Sequence, residues 1–107
     1  MAAPDYRVVS FNLATARDRA TIVETGTRII AVMVQAAPAA ASLHFGANRD
    51  PVPALTGDSW DTTAEDENGC PVPLDEGLFL TNAAAAGLLT LVVSFGSAGA
   101  GLVKAAA

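Results

Sequence analysis

The sequence predicts an all-β fold, a small antiparallel β-sandwich or jelly-roll-like barrel, in a single domain spanning residues 1–107. Three observations predict it. Several segments alternate with the period of two that marks strands. Gly, Pro, Asn and Asp punctuate the chain between them. A length of 107 residues is one domain, just long enough for a two-layer core.

The first alternating segment is Tyr6–Leu13, with Arg7, Val9, Phe11 and Leu13 in one set and Tyr6, Val8, Ser10 and Asn12 in the other. Ala14–Ala20 is polar and reads as a solvated connection: a turn, a loop or one helical turn. Ala20–Thr25 is short and β-prone, and Gly26 breaks the chain. Thr27–Gln35 is the next strand. Ile30, Val32 and Val34 share one face and Ile29, Ala31 and Met33 the other. Apolar residues on both faces predict a central strand, or one whose second face meets a subunit partner. Pro38 lacks a donor and interrupts any ladder through 36–41.

Ser42–Gly46 alternates again, with Leu43 and Phe45 predicted inward and Ser42 and His44 outward, at the surface. Ala47–Pro51 is a turn by composition. Val52–Thr56 suits only an edge strand, because Pro53 cannot donate to a central ladder. The end of the chain organises the rest. Gly77–Asn82 and Leu88–Gly96 read as two antiparallel strands of one hairpin, joined by the small-residue turn Ala83–Gly87, with Asn82 and Gly87 suited to positive φ. Leu89, Leu91, Val93 and Phe95 form a wholly apolar face. Val, Thr and Phe favour this strand over a helix through Asn82–Val93, for which the alanines speak. Residues 97–107 form a tail that is flexible by composition, in which Leu102 and Val103 are available to dock on a neighbour.

Charge narrows the function. The net charge is −5 and the six Lys and Arg are not clustered, so nucleic acid and anionic membranes are poor partners. The apolar runs fall short of a membrane span, and no secretory signal precedes Tyr6. The single Cys70 excludes an internal disulfide and reads as a loop thiol or a small buried residue. His44 is distant in sequence, and the acids beside Cys70 do not activate a thiol. With one His and no recognisable ligand spacing, neither a metal site nor a cofactor site is expected, and the chain reads as a non-enzyme.

Residues 57–76 form an acidic loop carrying Asp58, Asp61, Glu65, Asp66, Glu67, Asp75 and Glu76, with the only Trp, Trp60, among them. Asp58, Trp60 and Asp61 are the candidate binding loop. Calcium favours such oxygen ligands, but the spacing does not match an EF-hand, and a solvated acidic loop accounts for it. A glycosidase pair needs carboxylates across a rigid cleft, which neighbours on one loop do not supply. Trp60 suits sugar stacking, or capping of the loop on the core, or an interface.

The order Ser-Leu-His-Phe-Gly (42–46), a Pro-containing turn with a short strand, Gly-Leu-Phe-Leu-Thr-Asn (77–82) and Leu-Thr-Leu-Val-Val-Ser-Phe-Gly (89–96 with its preceding Leu88) resembles small β-sandwich structural proteins of tailed-phage virions. The likeness covers about residues 27–96 and omits the acidic insertion. It implies a capsid decoration protein or other head-associated component. Such a protein is made in the host cytoplasm, resides in the virion, and partners copies of itself, the major capsid protein or other virion proteins. The alternative is a carbohydrate- or calcium-dependent binding module using Trp60 and the acidic loop.

Overall fold

The computed structural model describes residues 5–38, 41–66 and 68–95. The expected flexible tail (97–107) and Glu67 of the acidic stretch lie outside them. Among the described residues eight strands follow one another: β1 (Asp5–Asn12), β2 (Arg17–Val23), β3 (Ile29–Ala36), β4 (Ala41–His44), β5 (Val52–Pro53), β6 (Ser59–Asp61), β7 (Leu78–Asn82) and β8 (Leu88–Phe95). They form two four-stranded sheets, ordered β1-β8-β3-β6 and β2-β7-β4-β5, with every pairing antiparallel. First pairs with last, second with seventh, third with sixth and fourth with fifth. The chain is thus one long hairpin, bent at β4–β5 and rolled so that β8 lies beside β3 and β7 beside β4. That is the eight-stranded jelly roll, and the sandwich predicted from sequence is present.

Alternation explains the core. Val9 and Phe11 of β1, Val32 and Val34 of β3, and Leu89, Leu91, Val93 and Phe95 of β8 are buried. Across the sandwich they meet Ile22 and Val23 of β2, Leu43 of β4, and Leu78 and Leu80 of β7. Each fully buried Leu, Ile, Val or Phe adds about 1.5–3 kcal/mol of transfer free energy, so this cluster drives folding.

Bulges shift faces where plain alternation misleads. In β3 the register breaks between Ile29, opposite Phe95, and Ala31, opposite Ser94. Ile29 therefore enters the core beside Val32 and Val34, while Ile30, expected there, is only half-buried. In β2 a break between Thr21 and Val23 buries the adjacent Ile22 and Val23 together.

Three expectations are corrected. Residues 77–96 are not a hairpin: β7 pairs with β2 and β4, and β8 with β1 and β3. The 83–87 segment is an arch from one sheet to the other. Leu78 and Leu80 meet the Leu89–Phe95 face across the core, not along an edge. Both strands have partners on each side, and that arrangement places more apolar surface inside than a shared edge does. Residues 14–20 are not a solvated connection throughout. The turn ends by Ala16, and Arg17, Asp18 and Arg19 belong to β2, an edge strand where charges are tolerated. Of the two residues proposed for positive φ, Gly87 adopts it at 121°, whereas Asn82 stays extended within β7. The buried amide of Asn82 instead donates to the carbonyls of Leu13, Thr15 and Ala83 at 3.3, 3.0 and 3.0 Å, tying the β1–β2 turn to the arch.

Candidate functional site

The two sheets leave an opening where their edge strands β5 and β6 lie at the same end of the core. β6 alternates: Trp60 lies opposite Val32 on the core side, while Ser59 and Asp61 lie opposite Met33 and Ala31 on the outer side. Trp60 packs on Phe45, which follows β4, with ring centroids 5.1 Å apart and planes tilted by 58°. Their rings help to line an open cleft of about 360 Å³, with Val52 and Pro53 as further apolar wall and Arg49 and Asp66 at its rim.

The predicted trio Asp58, Trp60 and Asp61 does not converge. Trp60 enters the cleft and caps the core, one of the roles expected for it. Asp61 points to the opposite side of the sheet because adjacent strand residues alternate. Its Oδ1 accepts the Thr63 hydroxyl at 2.6 Å and the Thr63 N–H at 2.8 Å. The hydroxyl first, then the backbone N–H, hold the carboxyl below its ordinary pKa, with a small opposing effect of desolvation. Asp58 closes its own turn by accepting the Leu55 N–H at 3.2 Å. Asp66 does the same, accepting the N–H groups of Asn68 and Cys70 at 2.8 and 3.0 Å. These carboxylates are occupied by local turns. Among the described residues, no three His, Cys, Asp or Glu side chains gather as a metal site. The stretch 57–76 is also not one loop, since it contains β6 and a bridge between Glu65 and Pro71.

Sequence reasoning missed Phe45 and Arg49 as neighbours of Trp60. Alternation turns Phe45 inward, and composition makes 47–51 a turn. No local signal joins them to Trp60, because the rolled topology brings them together. Arg49 also meets Glu76 at 3.2 Å, a half-exposed pair of small energetic weight.

His44 is not at the surface, as its outward parity suggested, but only 2 % exposed. The 45–50 turn folds back over the outer face of β4. The Arg49 carbonyl can only accept, so His44 Nδ1–H donates to it at 2.8 Å. Nε2 lies 2.8 Å from the Thr81 hydroxyl, which also accepts the Arg19 N–H at 2.9 Å. The chain Arg19–Thr81–His44–Arg49 therefore fits the Nδ1–H tautomer with Thr81 donating to Nε2. Its role is structural: it holds the turn that carries Arg49 to the cleft.

A second surface lies on the outer side of the β1-β8-β3-β6 sheet. The register sets Val8, Val92 and Met33 in one row across three strands. Val8 is 64 % exposed, Tyr6 63 % and Met33 42 %, and Leu88 is exposed at the end of the same face. The Ser10 and Thr90 hydroxyls meet at 3.1 Å beside this row. Cys70 is exposed in a separate turn. No helix among the described residues is long and apolar enough to cross a membrane. Comparison with known proteins brought no match: no family profile, curated protein or solved structure is significantly similar to this chain.

Proposed function

We propose that the chain is a non-enzymatic structural protein of a tailed-phage virion, a capsid decoration protein or other head-associated component that acts through subunit and shell contacts. The observation that carries this reading is the outer sheet face. Its row of Val8, Val92 and Met33, flanked by Tyr6, has no covering layer among the described residues. An uncovered apolar row on a rigid sheet is suited to burial against a repeated protein surface. The resemblance over 27–96 points the same way. The test is quantitative mass spectrometry of purified particles from the phage that encodes the chain. Stoichiometric presence in particles that survive gradient purification is expected. Absence from the particles, with the protein abundant in the lysate, overturns the reading.

A second reading rests on the cleft. Its Trp60 and Phe45 rings and polar rim suit a small carbohydrate, which binds through stacking and hydrogen bonds. The calcium-dependent form of this reading is the weaker, since Asp58, Asp61 and Asp66 are committed to turns. Titration of Trp60 fluorescence with a panel of mono- and disaccharides tests it, with Trp60→Phe as control. A saturable shift supports a sugar site, and a flat response across the panel removes it.

A further inference from the structure

A sandwich of two open sheets has four edges, and three of these are guarded. β2 carries Arg17, Asp18 and Arg19, with Arg19 at φ 49° and a register break between Arg17 and Ala20. β5 has two residues, one of them Pro53. β6 has three residues and ends at Asp61. Charges, bulges, proline and shortness are the devices that stop edges from pairing with other chains. β1 has no proline, bulge or shortness, and its two charges, Asp5 and Arg7, fall within its first three residues. It runs eight residues without proline, glycine or register break, each paired in sequence with β8.

The direction of its free groups is readable. Leu13 N donates to Gly87 O at 3.1 Å and Leu13 O accepts from Ala85 N at 2.8 Å, so Leu13 faces the β8 side. Alternation turns Phe11, Val9 and Arg7 the same way, and Asn12, Ser10, Val8 and Tyr6 toward the open edge. Asn12 O agrees, because Arg17 Nη1 caps it from that side at 2.7 Å. Among the described residues the open edge therefore presents the N–H and C=O groups of Tyr6, Val8 and Ser10, centred on Val8.

We propose that this edge binds the same edge of a second copy, antiparallel, with the two-fold axis passing at Val8. Only registers pairing even with even numbers keep the core face and outer face continuous and make open groups meet. Centring on Val8 sets Val8 opposite Val8 of the second copy and Tyr6 opposite Ser10. Centring one residue earlier opposes two Arg7 side chains, and one residue later requires the Asn12 carbonyl that Arg17 occupies. The chosen register also joins the apolar rows into one, running Met33, Val92, Val8 and then the same residues of the second copy in reverse. This names the subunit contact that the virion reading invokes. Its test needs no particle, so the two proposals fail separately.

The test is light scattering of the full chain from low micromolar to several hundred micromolar, with variants. The wild-type mass doubles across this range. Val8→Pro stays monomeric throughout and keeps the wild-type circular dichroism and melting curve, because the lost N–H faces the open edge and not β8. Mild oxidation of Cys70→Ser/Val8→Cys gives a covalent dimer, since residues directly opposite in such a pair have Cα atoms about 5.5 Å apart. Cys70→Ser/Tyr6→Cys does not, its two copies lying about 13 Å apart along the strands. A wild-type monomer at every concentration overturns the proposal. So does a folded Val8→Pro that still dimerises, or cross-linking through Tyr6→Cys as fast as through Val8→Cys. If Val8→Pro loses its circular dichroism, the cysteine pair decides alone.

Discussion

Single residues at the turns carry more of this structure than their composition suggests. His44 joins the Arg49 carbonyl to the Thr81 hydroxyl; in His44→Ala the carbonyl loses this partner and the hydroxyl keeps only the Arg19 N–H. Leaving such part-buried groups short of a partner costs on the order of 1 kcal/mol, so the urea midpoint is expected to fall with little change in slope. A surface histidine, as the alternation of β4 alone implies, would give almost no change. Asp61 supplies a pH dependence whose sign follows from its partner Thr63. Its folded pKa is depressed, so its contribution to stability is full above the ordinary carboxylate pKa and is lost as pH falls through the folded value. Thr63→Ala removes the hydroxyl, the larger cause, and is expected to raise the Asp61 pKa part of the way back. NMR titration of the Asp61 carboxyl carbon reads this directly, and an unmoved pKa would show that the backbone N–H alone sustains the shift.

At the scale of elements, the informative case is β7 and β8. Two apolar strands joined by a short Gly-containing turn fit a hairpin and an inter-sheet arch equally well, because both need the same period-two pattern. The difference lies in what flanks each strand, and β1, β3, β2 and β4 are all distant in sequence from at least one partner. Close Hα–Hα contacts in NMR are expected at the non-hydrogen-bonded pairs Val8–Val92 and Ser10–Thr90, with none between β7 and β8. Contacts between Thr81 and Thr90 or their neighbours along a shared ladder would restore the hairpin. The bulge in β3 belongs to this scale too. It exchanges Ile30 for Ile29 in the core, and sequence alternation has no term for an extra residue.

For the whole molecule, the rolled ribbon makes the first and last strands neighbours, so the ladder of β1 on β8 forms only when nearly the full chain is gathered. The loop-closure entropy of such pairing comes before most of its stabilisation, which predicts slow folding for a small domain. Refolding after denaturant dilution is expected in the range of about milliseconds to seconds, as in other β-sandwiches. Microsecond refolding would contradict a transition state that requires the β1–β8 pairing. The cleft is likewise a property of the whole. Phe45 follows β4 of one sheet, Trp60 stands on the edge strand β6 of the other, and they meet only because the roll closes around one core.

The sequence by itself determined the all-β class, most strand positions, the alternating sets of β1, the wholly apolar face of β8 and the edge character of Val52–Pro53. These follow from short-range chemistry: alternation, β-branching, glycine and proline. Only the tertiary structure decided which strands pair, that 83–87 crosses between sheets, that His44 is covered by the turn after it, that Asp58 closes its own turn and that Asp61 faces away from Trp60. Each of these depends on contacts between residues far apart in the chain. A period of two fixes which face a residue takes but not which neighbour that face or edge will meet.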